Sequence, residues 1–94
     1  MAHLYILSKV RDYAAWKRVF DEFATQRRAA GEINYQIYHL DGDRNNFAMI
    51  QEWDSLDKAK AFVTSDALRG AMANAGVEGA PAFLFLNAGD SGKP

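Results

Sequence analysis

Six side chains of this chain are of the types that bind or transform a small organic molecule: Tyr35, Tyr38, His39, Trp53, Arg69 and Asn74. An imidazole titrates near neutral pH, so His39 is a candidate general base for a phenol or an acidic C–H, with Tyr35 or Tyr38 as its orienting partner. Strand alternation would put Tyr35 and His39 on one face. Trp53 offers a flat ring to stack on a planar ligand and an indole N–H to hold a phenolate or quinone oxygen; the same residue could equally plug the core. Arg69 and Asn74 fall in a helical region. An inward Arg69 would stabilise an enolate or a bound carboxylate, and an outward one would only solvate its head group. His3 is a strand-start residue.

Other chemistries lack their residues. There is no cysteine, which excludes disulfides, thiolate zinc sites and cysteine nucleophiles and suits a reducing cytoplasm. Two histidines without a spaced carboxylate make no zinc or iron signature, so neither a metal nor another cofactor is expected. Gly76, Gly79 and Pro81 do not have the spacing of a phosphate-cradling loop. Asp41-Gly42-Asp43-Arg44-Asn45 superficially resembles a calcium loop but has no glutamate at the required distance, and reads as a turn. With 11 Lys+Arg against 12 Asp+Glu, the net charge of -1 gives no footprint for nucleic acid or an anionic membrane. The early apolar run Leu4-Tyr5-Ile6-Leu7 is too short for a membrane span or a signal-peptide core.

The elements that must position these residues follow from periodicity. The 94 residues fit a single domain over 1–94, and 13% aromatic content is generous for so small a core. Residues 3–9 read as a strand. Behind the N-cap Asp12, Tyr13, Trp16, Phe20, Phe23, Arg27 and Ala30 recur at spacings of three and four, predicting one helix up to Gly31. Residues 33–40 and 47–53 predict an antiparallel hairpin across a turn at 41–46. Asp54 or Ser55 caps the next helix, with Leu56, Ala59, Phe62 and Val63 on one face. Ser65-Asp66 restarts the signal before Leu68, Met72 and Ala75, giving two short helices or one bent one. After Gly79-Ala80-Pro81, residues 82–86 are an apolar strand, and 87–94 a flexible polar tail. The order β-α-β-β-α-β predicts an α+β, ferredoxin-like sandwich: a four-stranded antiparallel sheet with helices on one face. Neither hairpin strand has a wholly polar side, so a second subunit is expected on the uncovered face, making a homodimer.

The strand ending Glu52-Trp53, the Asp54-Ser55-Leu56 cap, the Lys60-Ala61-Phe62 helix, the Ser65-Asp66-x-Leu68-Arg69 segment and the Gly-x-Pro at 79–81 together resemble the dimeric α+β barrel superfamily. Within it the chain is similar to the antibiotic-biosynthesis-monooxygenase (ABM) domains, over residues 3–86. The resemblance implies a dimer built through sheet faces, with a small apolar or aromatic ligand held between sheet and helices. It further implies cofactor-free oxygenation or proton transfer on a phenolic compound, with Trp53 matching the family's cavity tryptophan. Met49 stands where the phenol oxidisers carry an amide, and Ser65-Asp66-Ala67 where a Ser-x-His is common. A non-enzymatic dimeric ligand-binding or interaction protein of the same fold is the alternative, and haem binding a lesser one.

Overall fold

The computed structural model describes residues 2–94; Met1 lies outside them. Eight elements follow one another: β1 (Ala2–Val10), α1 (Tyr13–Glu22), α2 (Ala24–Ala30), β2 (Glu32–Leu40), β3 (Asp43–Trp53), α3 (Leu56–Val63), α4 (Asp66–Ala75) and β4 (Val77–Asn87). The strands form one antiparallel sheet in the order β2-β3-β1-β4. This is the expected ferredoxin-like α+β architecture.

Period-two alternation sorts the sheet into faces. Leu4, Ile6, Ser8 and Val10 of β1 and Phe47, Met49, Gln51 and Trp53 of β3 are buried. The register sets Ile6 opposite Met49 and Leu4 opposite Gln51, so all eight share one side. Trp16, Phe20, Ala59, Phe62 and Ala75 from the helices complete the core against it. The other side carries Tyr5, Leu7, Tyr38, Ile50, Leu84 and Leu86 and has no helix over it.

Local chemistry accounts for most boundaries. Asp12 accepts a hydrogen bond from Ala14 N–H, Ser55 from Lys58 N–H and Ser65 from Leu68 N–H, so three helices start on side-chain caps. Gly31 ends α2 at φ 125°, and a Cβ there would meet the Lys58 side chain at 3.0 Å. Its carbonyl accepts from Asp54 N–H at 2.9 Å, tying the end of α2 to the end of β3.

Three boundaries depart from expectation. The single first helix is two, broken at Phe23 (φ -86°, ψ 4°), whose ring faces Phe62 at 6.0 Å. The turn is shorter: only Asp41 and Gly42 connect the strands, with Gly42 at φ 81°, and residues 43–46 belong to β3. The strand β4 is longer and takes in Gly79-Ala80-Pro81. Those residues lie opposite a register shift between Leu7 and Lys9, with Gly79 at φ 66°. The apparent strand breaker is thus an irregularity on an edge strand, where a missing proline donor is tolerated.

Candidate functional site

Between the sheet and its helices lies a cavity of about 70 Å³. Its floor is Ile6 and Ser8 of β1, Phe47, Met49 and Gln51 of β3 and Phe83 of β4; its roof is Trp16, Phe20, Phe23, Arg27, Phe62 and Met72. An engineered apolar cavity of roughly 150 Å³ holds benzene. This one is smaller, and entry of an aromatic ring requires its flexible walls, Met49 and Met72, to move.

Three polar side chains interrupt the apolar lining: Ser8, Gln51 and Arg27, all buried. Gln51 faces inward because it shares the parity of Phe47 and Met49. Its Oε1 accepts from the Trp53 indole N–H at 2.9 Å, while its amide nitrogen, among the described residues, meets the Met49 sulfur at 3.6 Å. A thioether is a weak acceptor. Arg27 comes from α2, where it continues the aromatic stripe of α1. Its guanidinium lies 3.6 Å from the centre of the Phe20 ring. Nη1 donates to both Glu32 oxygens, at 2.6 and 2.7 Å, and Nη2 to the Phe20 carbonyl at 3.1 Å. Both members of the ion pair are buried. Desolvation pushes the Glu32 carboxyl above the usual carboxylate range, against the opposing pull of Arg27.

The residues singled out from sequence are dispersed. Trp53 is fully buried, packed on Phe62 at 5.1 Å, and does not line the cavity. β3 carries it past the cavity into the layer beneath α3. Arg69 is exposed and bonded to Asp66 at 3.2 Å, and Asn74 is exposed, since both lie off the Leu68–Met72–Ala75 stripe of α4. Tyr38 pairs with Ala48 on the open face, opposite to the side that holds His39 and Tyr35. Those two share a face but stand four residues apart, roughly 13 Å along the strand. Tyr35 borders a shallow outer groove with Arg27, Arg28 and Glu32, and its ring meets Phe20 edge-on at 4.9 Å.

His39 sits at the hairpin end of the sheet, exposed. Its Nδ1 is 2.9 Å from the Arg44 carbonyl; a carbonyl only accepts, so in the neutral ring Nδ1 carries the proton and Nε2 keeps its lone pair. The ring packs edge-on against Tyr13 at 4.4 Å. The residues that sequence reasoning passed over are therefore Ser8, Arg27 and Gln51, and each carried a signal: a polar residue at an inward strand parity, or a cation within an aromatic stripe.

Among the described residues no group of three or more His, Cys, Asp or Glu could hold a metal ion, and no helix is long and apolar enough to cross a membrane.

Solved structures share this architecture. SnoaB, a cofactor-independent oxygenase from Streptomyces nogalater, superposes with a TM-score of 0.76 at 13% identity, covering 96% of this chain and 94% of its own. A Caulobacter crescentus protein assigned as an antibiotic biosynthesis monooxygenase gives 0.71 at 22% identity over 95% and 90% of the two chains. A Nitrosomonas europaea protein of unknown function gives 0.70 at 13% identity over 99% and 93%. No family model and no curated protein matches the sequence. The fold is the one seen in solved structures assigned as antibiotic biosynthesis monooxygenases, as the junction residues suggested.

Proposed function

We propose that the protein is a cytoplasmic homodimer that binds a small, mostly apolar aromatic compound in the sheet–helix cavity, with cofactor-independent oxygenation or proton transfer as its chemistry. The observation that carries the reading is the cavity itself: an apolar chamber with Ser8, Gln51 and Arg27 in its wall, the mix of apolar lining and a few polar groups that ligand sites share. The likeness of fold to a cofactor-independent oxygenase supports the reaction class. In such a reaction the substrate must first become electron-rich by losing a proton, and a buried cation favours the resulting anion.

A second reading, ligand binding without catalysis, is favoured by one feature: His39, Tyr35 and Tyr38 stand outside the cavity wall. Two measurements separate the readings. A panel of planar phenols and quinones should quench Trp16, the tryptophan in the cavity wall, with Trp53→Phe used to remove the second indole. The ligands that quench should then be tested for oxygen uptake without added metal or flavin. Quenching with oxygen uptake supports the enzyme, quenching alone supports the binding protein, and no quenching by any compound removes the cavity as the site.

A further inference from the structure

The cavity shares wall residues with two outer depressions, and those residues differ in how firmly they are held. With the shallow groove it shares Arg27, whose guanidinium is fixed by both Glu32 oxygens and the Phe20 carbonyl. With a crevice of about 320 Å³ between α2 and the α3–α4 corner it shares Phe23 and Phe62. Met49 and Met72 can reshape the cavity, but neither borders the crevice, so moving them does not join the two spaces.

Phe23 is the looser of the two shared rings. Phe62 is buried and packs on Trp53 at 5.1 Å. Phe23 is half-buried, and its ring stands 6.0 Å from Phe62, against 4.8 Å between Trp16 and Phe20 and 4.5 Å between Trp16 and Phe47. Its backbone is bonded on both sides of the break: Phe23 N–H donates to the Val19 carbonyl and the Phe23 carbonyl accepts from Arg27 N–H, each at 3.0 Å. The far end of α2 is tied to the sheet through Gly31 to Asp54 and Arg27 to Glu32. The helix is therefore anchored, and the ring is the part free to turn about its own side-chain torsions. Room for it lies on the crevice side, where Ala30, Ala61 and Ala67 present nothing beyond Cβ.

We infer that Phe23 is a gate: its ring separates the cavity from the crevice, and by turning into the crevice it connects the two and admits a small apolar molecule. A chamber of about 70 Å³ then becomes continuous with one of about 320 Å³, which brings the space into the range of small-molecule pockets, roughly 300–1,000 Å³. As a ligand gate Phe23 rests on the cavity being the ligand site; the movement of its ring does not.

The test uses the full chain with Trp53→Phe as parent, so that Trp16 reports alone, and two probes. Acrylamide, a small neutral quencher, measures access to Trp16 without needing a binding site. Nitrobenzene, whose saturable quenching reports binding, measures entry and exit by stopped flow. Phe23→Ala should raise the acrylamide quenching rate constant about fivefold, as expected when opening becomes easier by about 1 kcal/mol. Phe23→Leu, a milder change, should raise it less. Ala61→Leu adds a side chain at an exposed position in the crevice and should lower the rate constant below that of the parent. It should also slow nitrobenzene association and dissociation by similar factors, leaving Kd within about twofold, because a gate changes rates rather than the bound state. General loosening of the fold would raise access in every variant, so opposite signs are what a gate requires. Access that does not fall in Ala61→Leu, or that rises in neither Phe23 variant, overturns the gate. Opposite signs with acrylamide but no binding of nitrobenzene would keep the gate and remove the cavity as a ligand site.

Discussion

Trp53 and Gln51 behave as one unit: the indole N–H donates to Gln51 Oε1 at 2.9 Å, with 0% and 1% of the two residues exposed. Trp53→Phe removes that donor, strands a buried amide oxygen and leaves part of the indole volume empty. We expect a loss of about 2–4 kcal/mol in urea unfolding, with ligand quenching of Trp16 retained. A loss of ligand affinity without loss of stability would reverse the assignment and make Trp53 a ligand contact. Glu32 supports a pH prediction. Its folded pKa is raised above the ordinary 4.5 by desolvation. The native state then holds the proton more tightly than the unfolded chain, so this group's stabilising contribution is present at low pH and is lost as pH rises from the ordinary carboxylate value through the folded one. The stability difference between wild type and Glu32→Gln should accordingly narrow as pH is raised across that window. A difference that widens would mean that Arg27 outweighs desolvation. At this scale the sequence was only partly legible. Strand parity was enough to place Gln51 beside Met49 and Phe47, though the residue was passed over, and helical phase was enough to set Arg69 and Asn74 off the Leu68–Met72 stripe, though Arg69 was left open between inward and outward. What parity could not give was depth: whether a strand-end tryptophan borders a cavity or lies beyond it depends on where α3 sits.

Helix phase is the best-determined property of the elements. On α1, Phe20 is buried and stacks on Trp16 at 4.8 Å, while Glu22 is exposed. Phe20→Ala should cost about 3–5 kcal/mol and Glu22→Ala under about 0.5 kcal/mol. Phe23→Ala should fall between them, because its ring is only half-buried at the break between α1 and α2. Equal effects of all three in chemical denaturation would show that the helix is rotated from the phase described. The caps Asp12, Ser55 and Ser65, the closing Gly31 and the four strands could all be placed from residue types. The Phe23 break could not, since no glycine or proline marks it. Nor could the length of β4, where Gly79 and Pro81 read as chain punctuation and the sheet absorbs them at a register shift on its edge.

At the scale of the molecule, the uncovered face of the sheet dominates. Leu7, Tyr38, Leu84 and Leu86 are 49%, 57%, 53% and 41% exposed in the single chain. With Tyr5 and Ile50 they draw on every strand, so the apolar surface is continuous across the sheet rather than scattered. Lys9 and Glu52 lie on the same face, supplying polar positions of the kind that rim an interface. A two-fold dimer would lay this face on its own copy. Light scattering at micromolar concentration should therefore give twice the 10.5 kDa chain mass. Leu7→Asp with Leu84→Asp should lower the mass to that of one chain by placing carboxylates in the centre of the apolar patch. Both side chains are solvated in the isolated protomer, so its helix and strand content, followed by circular dichroism, should stay close to that of the wild type. A wild-type monomer, or a double variant that remains a dimer, would show that the copies do not meet through this face, and the apolar strand positions would then need a different partner.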